Sequence, residues 1–180
     1  MKSQLFVGHL EPSPTLLQPV QNTMFIKPDG GIWTSTYLGK EHGSDWVRYL
    51  RNLNEGRVSL NGYLLYPEKD LNIYIIDTYE DLEKLMAKYS CVPQYVKEMG
   101  FELPSVYGIN FEEFSKQYDG LHLTYEGQIN TRHSLSFQFN DGSFEAIHRK
   151  YNLYGYDVEC TWFSKWCFDK VEPLGELIFS

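Results

Sequence analysis

The residues best suited to chemistry lie in two stretches that are far apart in the chain. In the first, Gly30 and Gly31 precede a strand-like run that contains Trp33, Thr34 and Ser35. Glycine adopts the positive φ that other residues resist, and aromatic and β-branched residues favour a strand. Two adjacent glycines let a flat group approach the backbone and stack on the aromatic ring. The alternative is an ordinary turn whose strand directs its aromatics into the core.

The second stretch carries two carboxylates within an apolar run. Asp157 and Glu159 alternate with Val158 and Cys160, and we expect one long strand over residues 153–163. Strand alternation then places both carboxylates on one face. A carboxylate within an apolar strand costs free energy of desolvation unless it is partnered or used. The pair is a candidate site, and a salt-bridged carboxylate at the surface is the alternative.

Strands and one helix are predicted for the first part of the chain. The strands are placed at residues 5–10, 23–27 and 32–37. Ser44 is the expected cap of a helix that ends at residues 54–56. A loop-rich stretch is expected from there to Lys69.

The middle of the chain combines one strand with helices. Residues 72–77 are apolar almost throughout, so this strand is expected at the centre of a sheet. Thr78 caps a helix over residues 79–89 and forms a capping box with Asp81. Shorter helical segments are predicted at residues 93–100 and 110–117.

The last part of the chain turns to strands. A turn at residues 118–120 enters a strand, and Asn140-Asp141-Gly142 predicts a hairpin between strands at 134–139 and 143–148. A strand at 167–172 comes last. Strands, then helices, then antiparallel strands indicate an α+β fold, and we expect residues 1–180 to form a single domain.

Composition limits the classes of partner. The net charge is −8 at pH 7, and binding to phosphate backbones relies on clustered Lys and Arg. Nucleic acid is therefore disfavoured as the primary partner, although a local basic cleft stays possible. Fourteen tyrosines favour a wet, aromatic-lined cleft or an adhesive surface.

Cysteine and motif content argues against several reactions. Cys91, Cys160 and Cys167 form no CxxC pair, and with the five histidines they show no metal-ligand spacing, so we assign no metal. P-loop, GxGxxG and GxSxG motifs are absent. The spacing leaves a cysteine–histidine nucleophile pair open, and no motif supports one. Because no apolar run has signal or membrane-spanning length, we expect a cytoplasmic protein with reduced thiols that does not enter a membrane.

The order of the motifs resembles that of ADP-ribosyltransferases of the polymerase-like or diphtheria-toxin-like branch, particularly the compact bacterial and phage members. Gly30-Gly31-Ile32-Trp33-Thr34-Ser35 is similar to the strand whose aromatic residue stacks on nicotinamide. Tyr118-Asp119-Gly120-Leu121 resembles the turn before the family's last strands. Residues 158–163 are similar to the strand of the catalytic glutamate, and Phe168-Asp169-Lys170-Val171 resembles its closing segment. Residues 55–115 stay unexplained by the resemblance.

The resemblance implies NAD as substrate, without a metal. Glu159 would be the catalytic residue, holding the ribose 2′-hydroxyl and stabilising the positive charge that forms as the nicotinamide–ribose bond breaks. Trp33, together with Trp46 or Tyr37, would sandwich the nicotinamide. Lys27 could meet a phosphate, and the alternative is a solvated lysine beside the turn. Trp33 and Glu159 must then face each other across one cavity.

The first strand departs from the family pattern. Gly8 would pair with the carboxamide through its backbone, and Ser35 or Thr34 would support the catalytic carboxylate. The family has an Arg or His just before that glycine, whereas here Val7 precedes Gly8 and His9 follows it. Either His9 takes over the contact to the adenosine ribose through a shifted register, or the pocket lacks this contact.

The expected architecture is therefore an ADP-ribosyltransferase-like α+β fold of split antiparallel sheets with helices packed between and beside them. The implied function is NAD-dependent transfer of ADP-ribose to a macromolecular acceptor; by analogy this is a host protein modified by a phage or bacterial effector. One alternative is a binding module that keeps the fold but has lost the chemistry, which the displaced His9 favours. The other is an RNA 2′-phosphotransferase, which needs a basic cleft that a chain of charge −8 offers poorly.

Overall fold

Strands dominate the computed structural model, which describes residues 1–23, 26–53, 58–93, 96, 98, 107–141 and 143–179. The strands in this part are β1 (Gln4–Gly8), β2 (Ile32–Thr36), β3 (Val58–Pro67), β4 (Ile73–Ile76), β5 (Ser90–Cys91), β6 (Gly108–Ile109), β7 (Gly120–Leu123), β8 (Leu135–Asn140), β9 (Ser143–His148), β10 (Cys160–Phe163) and β11 (Phe168–Phe179). The helices are α1 (Asp45–Leu53), α2 (Tyr79–Tyr89), α3 (Phe111–Phe114) and α4 (Tyr125–Thr131), and residues Pro14–Leu16 form a 3-10 turn. The predicted α+β class is confirmed.

Seven of the strands form one sheet in the order β11-β3-β1-β2-β10-β7-β4. Its neighbours are antiparallel except for β4 and β7, which are parallel. Strand β2 pairs with β10 through residues 32–34 and with β1 through Ser35 and Thr36. Beyond Leu5, β1 continues beside β3. The strands β1 and β2 therefore separate at Phe6, and a gap opens within the sheet.

The buried apolar residues form two main clusters around this sheet. The larger one joins α2, α3 and strands β4, β7 and β10, and includes Leu82, Leu85, Met86, Phe111, Phe114 and Trp162. The second joins the long strands β3 and β11 to β2 and β10, and includes Ile32, Tyr63, Leu65, Phe163 and Phe168. Both clusters contain residues of β10, which fixes the position of the chain just after Glu159.

The paired glycines accommodate an indole ring of the chain itself. Gly31 has φ +67°, and a Cβ at this position would lie 2.4 Å from Nε1 of Trp162. The same Nε1 donates a hydrogen bond to the carbonyl oxygen of Gly30 (3.1 Å), and Trp162 is fully buried. The flat group admitted by the glycine pair is therefore internal. Both glycines hold the start of β2 against β10.

The helix caps follow the sequence closely. Thr78 and Asp81 form the predicted capping box at the start of α2, and the Thr78 side chain accepts a hydrogen bond from the Asp81 backbone N–H (3.2 Å). Ser44 Oγ accepts from the Val47 backbone N–H (3.3 Å) before α1, and Asn110 caps α3 through Glu113. These local predictions are confirmed. They can be made from the sequence because a helix cap involves only residues within one turn.

Two strand predictions for the middle of the chain are wrong. Residues 58–67, expected to be loop-rich, form β3, a ten-residue strand between β1 and β11. Strand β4 was expected at the centre of the sheet, but it lies at the edge and Ile75 is 53% exposed. An apolar run indicates burial of both faces, whereas here only Ile76 is buried.

The expected long strand over 153–163 is also shorter than predicted. The chain turns at Tyr154 and Gly155, and strand pairing begins at Cys160. Helix α4, which the sequence did not predict, packs beside this segment. Gly127 disfavours a helix by propensity, but a Cβ there would lie 2.0 Å from the Ile76 carbonyl oxygen. Close packing on β4 therefore requires glycine in this helix.

The predicted hairpin and the predicted strand over 23–27 have different outcomes. The hairpin β8–β9 is confirmed, with Asp141 at φ +47° in its turn. Thr23, Ile26 and Lys27 lie outside any strand, in contrast to the predicted strand over 23–27. Met24, Phe25, residues 54–57 and most of 93–100 lie outside the described part. In the part of the chain that is described, no helix combines the length and apolar character needed to cross a membrane.

Candidate active site

A cavity of about 310 Å³ lies where β1 and β2 separate. It is lined by Phe6, Val7, Lys27, Trp33, Thr34, Trp46, Tyr156, Asp157, Val158 and Cys160. Its volume is at the lower end of the range for small-molecule sites, which are apolar clefts with a few placed polar groups. The predicted residues Trp33 and Thr34 of β2 meet Trp46 of α1 here.

The aromatic residues of the site are held by other rings. Trp33 packs edge-on against Tyr156, with ring centroids 5.8 Å apart. Trp46, at the start of α1, stacks on Tyr49 at 5.4 Å. Tyr37 packs against the small cluster around Leu5 and Val47 and is not among the described residues that line the cavity. Of the two candidates for a second aromatic, Trp46 is the one that shares a cavity with Trp33.

The carboxylate of Glu159 is fixed against the end of β2. Ser35 Oγ donates to Oε2 (2.6 Å), the backbone N–H of Thr36 donates to the same oxygen (2.9 Å), and Thr36 Oγ1 donates to Oε1 (2.8 Å). Strand β10 begins one residue later, at Cys160. The Glu159 carboxylate therefore accepts the hydrogen bond from the Thr36 N–H that a backbone carbonyl would accept if β10 were longer. Glu159 is 7% exposed, and its charge is satisfied by these donors.

Glu159 lies between two cavities. It is not among the described residues that line the Trp33 cavity, although its neighbours Val158 and Cys160 are. Thr36 and His122, which contact the carboxylate, line a second cavity of about 460 Å³. In this structure, Trp33 and Glu159 therefore do not face each other across one cavity. The donors at the end of β2 turn the carboxylate towards Thr36.

Asp157 and Glu159 have different surroundings, in contrast to the shared face predicted for them. Asp157 Oδ1 pairs with Nη2 of Arg132 on α4 (3.0 Å), and its Oδ2 accepts from the Tyr49 hydroxyl (3.3 Å). Gln128, also on α4, donates to the Asp157 carbonyl oxygen (3.3 Å). Because this segment is a loop, strand alternation does not apply, and α4 positions the residues just before Glu159.

The residues of the first strand are distributed over two cavities. Val7 lines the Trp33 cavity, whereas His9 is exposed beyond the end of β1 and lines a neighbouring cavity of about 460 Å³ that also includes Gly31 and Trp33. Gly8 is not among the described residues that line either one. The side chains that β1 presents to the main cavity are thus the apolar Phe6 and Val7, and His9 lines the neighbouring cavity.

The surroundings of Cys160 disfavour it as a nucleophile. Burial raises the pKa of the Cys160 thiol to about 12, and the nearby Glu159 carboxylate raises it further. The thiol is therefore protonated near neutral pH, and a cysteine–histidine mechanism requires the thiolate. Within the described residues, no three His, Cys, Asp or Glu side chains are grouped as they would be around a metal ion.

His122 on β7 is the site residue that the sequence analysis missed. Its Nδ1 lies 2.8 Å from Thr161 Oγ1 and 3.6 Å from Glu159 Oε1. Burial lowers the pKa of the imidazole, while the Glu159 carboxylate opposes this shift. A lone histidine in a strand gives no motif signal. Only the pairing of β7 with β10, in which His122 is opposite Thr161, brings it to the site.

We expect the pKa of His122 to make the fold less stable in acid. Its folded pKa is below the ordinary 6.5, so the unfolded chain binds more protons below that pH, and the free energy of unfolding falls as the pH drops through this window. His122→Gln removes the titrating group and should reduce this loss. Urea unfolding of both proteins at about pH 7.5 and about pH 5.5 measures it. An equal loss in both proteins would contradict the prediction.

Comparison with known proteins identifies no relative of this chain. No model of a protein family matches the chain, and neither a curated protein nor a solved structure matches it significantly. The geometry of the cavity and of Glu159 is therefore the basis for assigning a function.

Proposed function

We propose that the chain is an NAD-dependent ADP-ribosyltransferase, which breaks the bond between nicotinamide and ribose and transfers ADP-ribose to a macromolecular acceptor. One observation carries the proposal: the hydroxyl of Ser35, two residues after Trp33, holds the carboxylate of Glu159, which lies 124 positions further along the chain. The motif resemblance implies this same contact between a strand hydroxyl and the catalytic glutamate.

The residues of the cavity have clear places in this reaction. Trp33 and Trp46 offer ring faces for nicotinamide, the leaving group, which departs as a neutral molecule when its bond to ribose C1′ breaks. The electron deficiency then resides on the ribose. Glu159 accepts a hydrogen bond from the 2′-hydroxyl and stabilises this cation, because a fixed opposite charge acts strongly in a site of low dielectric constant. A nucleophilic oxygen or nitrogen of the acceptor forms the new bond to C1′ and releases its proton to solvent.

The proposal requires a change in the position of the Glu159 carboxylate. Its Oε2 is bonded to Ser35 and to Thr36, and its Oε1 to Thr36. Rotation about the side-chain bonds moves the carboxylate from Thr36 towards the Trp33 cavity, and the hydroxyl of Ser35 can follow it. The ribose 2′-hydroxyl and the cation at C1′ then replace the donors of Thr36.

The sheet also supports the finer fold proposal of split antiparallel sheets. Strands β1, β3 and β11 form one half, and β2, β10, β7 and β4 form the other. The two halves are joined through only two pairs of residues, Gln4 with Thr36 and Leu5 with Ser35. The cavity lies at this split, where residues from both halves are within reach of one ligand.

A binding module without catalysis is the second candidate. The specific observation that favours it is the hydrogen-bonded, 7% exposed carboxylate of Glu159, because a satisfied acceptor gains less from binding a new donor. The apolar Val7 at the position of the family's Arg or His points the same way. Such a module would bind NAD or a fragment of it and release it unchanged.

The test is incubation of the purified chain with NAD, followed by chromatography for free nicotinamide and calorimetry for binding. We expect heat of binding and release of nicotinamide, with water taking the place of the acceptor at C1′ in this assay. Heat without nicotinamide would favour the binding module, and the absence of both would contradict both candidates. Mass spectrometry of a bacterial lysate treated with the chain and NAD would identify acceptors by the added mass of ADP-ribose. A modified host protein is the expected result for an effector.

A further inference from the structure

The ammonium group of Lys27 lies over the aromatic rings of the Trp33 cavity. Its Nζ is 5.6 Å from the ring centroid of Trp33 and 5.1 Å from that of Tyr156. A cation within about 6 Å of a ring centroid is attracted by the negative face of the π-system. The two rings, which meet edge-on at 5.8 Å, thus form a small site for a positive charge.

Lys27 is held there mainly by the rings. Among the described residues, no carboxylate lies within ion-pair distance of its Nζ. Asp157, the carboxylate that lines the same cavity, is already paired with Arg132 at 3.0 Å. The residue is exposed overall and its stem is flexible, so its ammonium group can leave the rings without disturbing the core.

The ligand of the proposed function carries charges of both signs. The nicotinamide of NAD is a pyridinium, which is a planar cation, and the diphosphate is an anion. A pyridinium that stacks on Trp33 needs the ring face over which the Lys27 ammonium lies. Two cations at one ring face repel each other at short range. The ammonium group must therefore move when the pyridinium binds, and the diphosphate offers it a new partner.

We propose that Lys27 occupies the cation position of this cavity in the free protein and moves to the diphosphate when NAD binds. The inference depends on the proposed function for the identity of the ligand, but it can be tested without catalysis. It predicts that the same side chain opposes a planar cation and favours a diphosphate. A residue with a merely structural function would change both affinities in the same direction.

The test compares wild type with Lys27→Met, which keeps the length of the side chain and removes its charge. Calorimetry with 1-methylnicotinamide, a planar cation without phosphate, should give about two- to fivefold tighter binding to the variant, because the repulsion between the ammonium group and the bound cation is removed. ADP-ribose, which has the diphosphate without the pyridinium, should bind about fivefold more weakly. Neutral nicotinamide should bind equally to both proteins.

Lys84→Met is the matched control. Lys84 is an exposed residue on α2 that pairs with Glu80 at 3.0 Å, so this change alters the net charge by the same amount away from the cavity. It should leave all three affinities unchanged. Lys27→Arg should restore the binding of ADP-ribose.

The two ligands separate the inference from the proposed function. Opposite changes for 1-methylnicotinamide and ADP-ribose support the inference even if the wild type releases no nicotinamide from NAD. The absence of nicotinamide release would contradict the proposed enzyme alone. Changes in the same direction, no change, or no binding of 1-methylnicotinamide would overturn the inference, even if NAD is cleaved.

Discussion

Glu159→Gln is expected to lower the release of nicotinamide from NAD by at least about 100-fold, the usual effect of removing one stabilising group from a preorganised site. The amide has the shape of the carboxylate but no negative charge to stabilise the ribose cation. Its oxygen can still accept from Thr36, and the Ser35 hydroxyl can rotate to accept from the new amide group. The fold should therefore be retained, and the loss should appear in kcat.

The choice of glutamine matters because of the donors around this side chain. Glu159→Ala would leave the half-buried Thr36 N–H and the buried Ser35 hydroxyl without their acceptor, at a cost of about 1–3 kcal/mol in stability. Inactivity of the alanine variant could then result either from loss of the catalytic carboxylate or from loss of the fold. Thermal unfolding should accompany each activity assay, so that loss of chemistry is separated from loss of fold.

A matched control is Glu172→Gln on β11. Glu172 accepts a hydrogen bond from the Tyr66 hydroxyl (2.7 Å), and its strand lies at the edge of the sheet opposite to β4. This variant makes the same chemical change away from the cavity and should release nicotinamide at the wild-type rate. Undiminished activity of Glu159→Gln would show that the carboxylate is not the catalytic group.

Gly31→Ala is expected to lower the free energy of unfolding by about 2–5 kcal/mol, the largest effect on stability among the changes considered. Two costs add up. A residue with a Cβ resists φ +67°, which accounts for about 1–2 kcal/mol, and overpacking a close contact accounts for about 1–3 kcal/mol. The contact is with Nε1 of Trp162 at 2.4 Å and with the carbonyl oxygen of Phe163 at 2.5 Å. Urea denaturation measures the sum.

Gly39→Ala separates the two costs. Gly39 has φ +97°, but a Cβ there would meet no described atom within 4 Å, so this variant should lose only the conformational term of about 1–2 kcal/mol. Equal destabilisation of both variants would show that the approach of Trp162 does not require glycine at position 31. Because Gly31 also sets the start of β2, its replacement should shift the near-ultraviolet signal of the tryptophans.

Parts of the proposed site were predictable because they depend on neighbours in sequence. The strand after Gly31 carries Trp33, Thr34 and Ser35, as its β-branched and aromatic residues predict. The motif resemblance implies that Ser35 or Thr34 supports Glu159, and in the structure Ser35 donates the hydrogen bond. The position of Trp46 at the start of a helix followed from the Ser44 cap.

Other parts of the proposed site could not be predicted without knowing how the strands are arranged in the sheet. The place of His122 beside Glu159 arises from the pairing of β7 with β10, and no residue near His122 in sequence signals it. Strand alternation wrongly placed Asp157 and Glu159 on one face. The chain turns at residues 154–155, and the strand begins only at Cys160, after both carboxylates. Tyr37, Gly8 and His9 are not among the described residues that line the Trp33 cavity, and this depends on where β1 and β2 diverge.

The sequence by itself determined the α+β class, the helix caps, the hairpin and the run from Gly30 to Ser35, because each depends on backbone preferences and hydrogen bonds within a few residues. Only the tertiary structure decided that β4 is an edge strand, that residues 58–67 form β3, and that Glu159 turns towards Thr36. Those outcomes depend on which distant strand provides the hydrogen-bond partner. Local patterns carry the propensity for a strand, but the choice of neighbour is made by packing of the whole sheet.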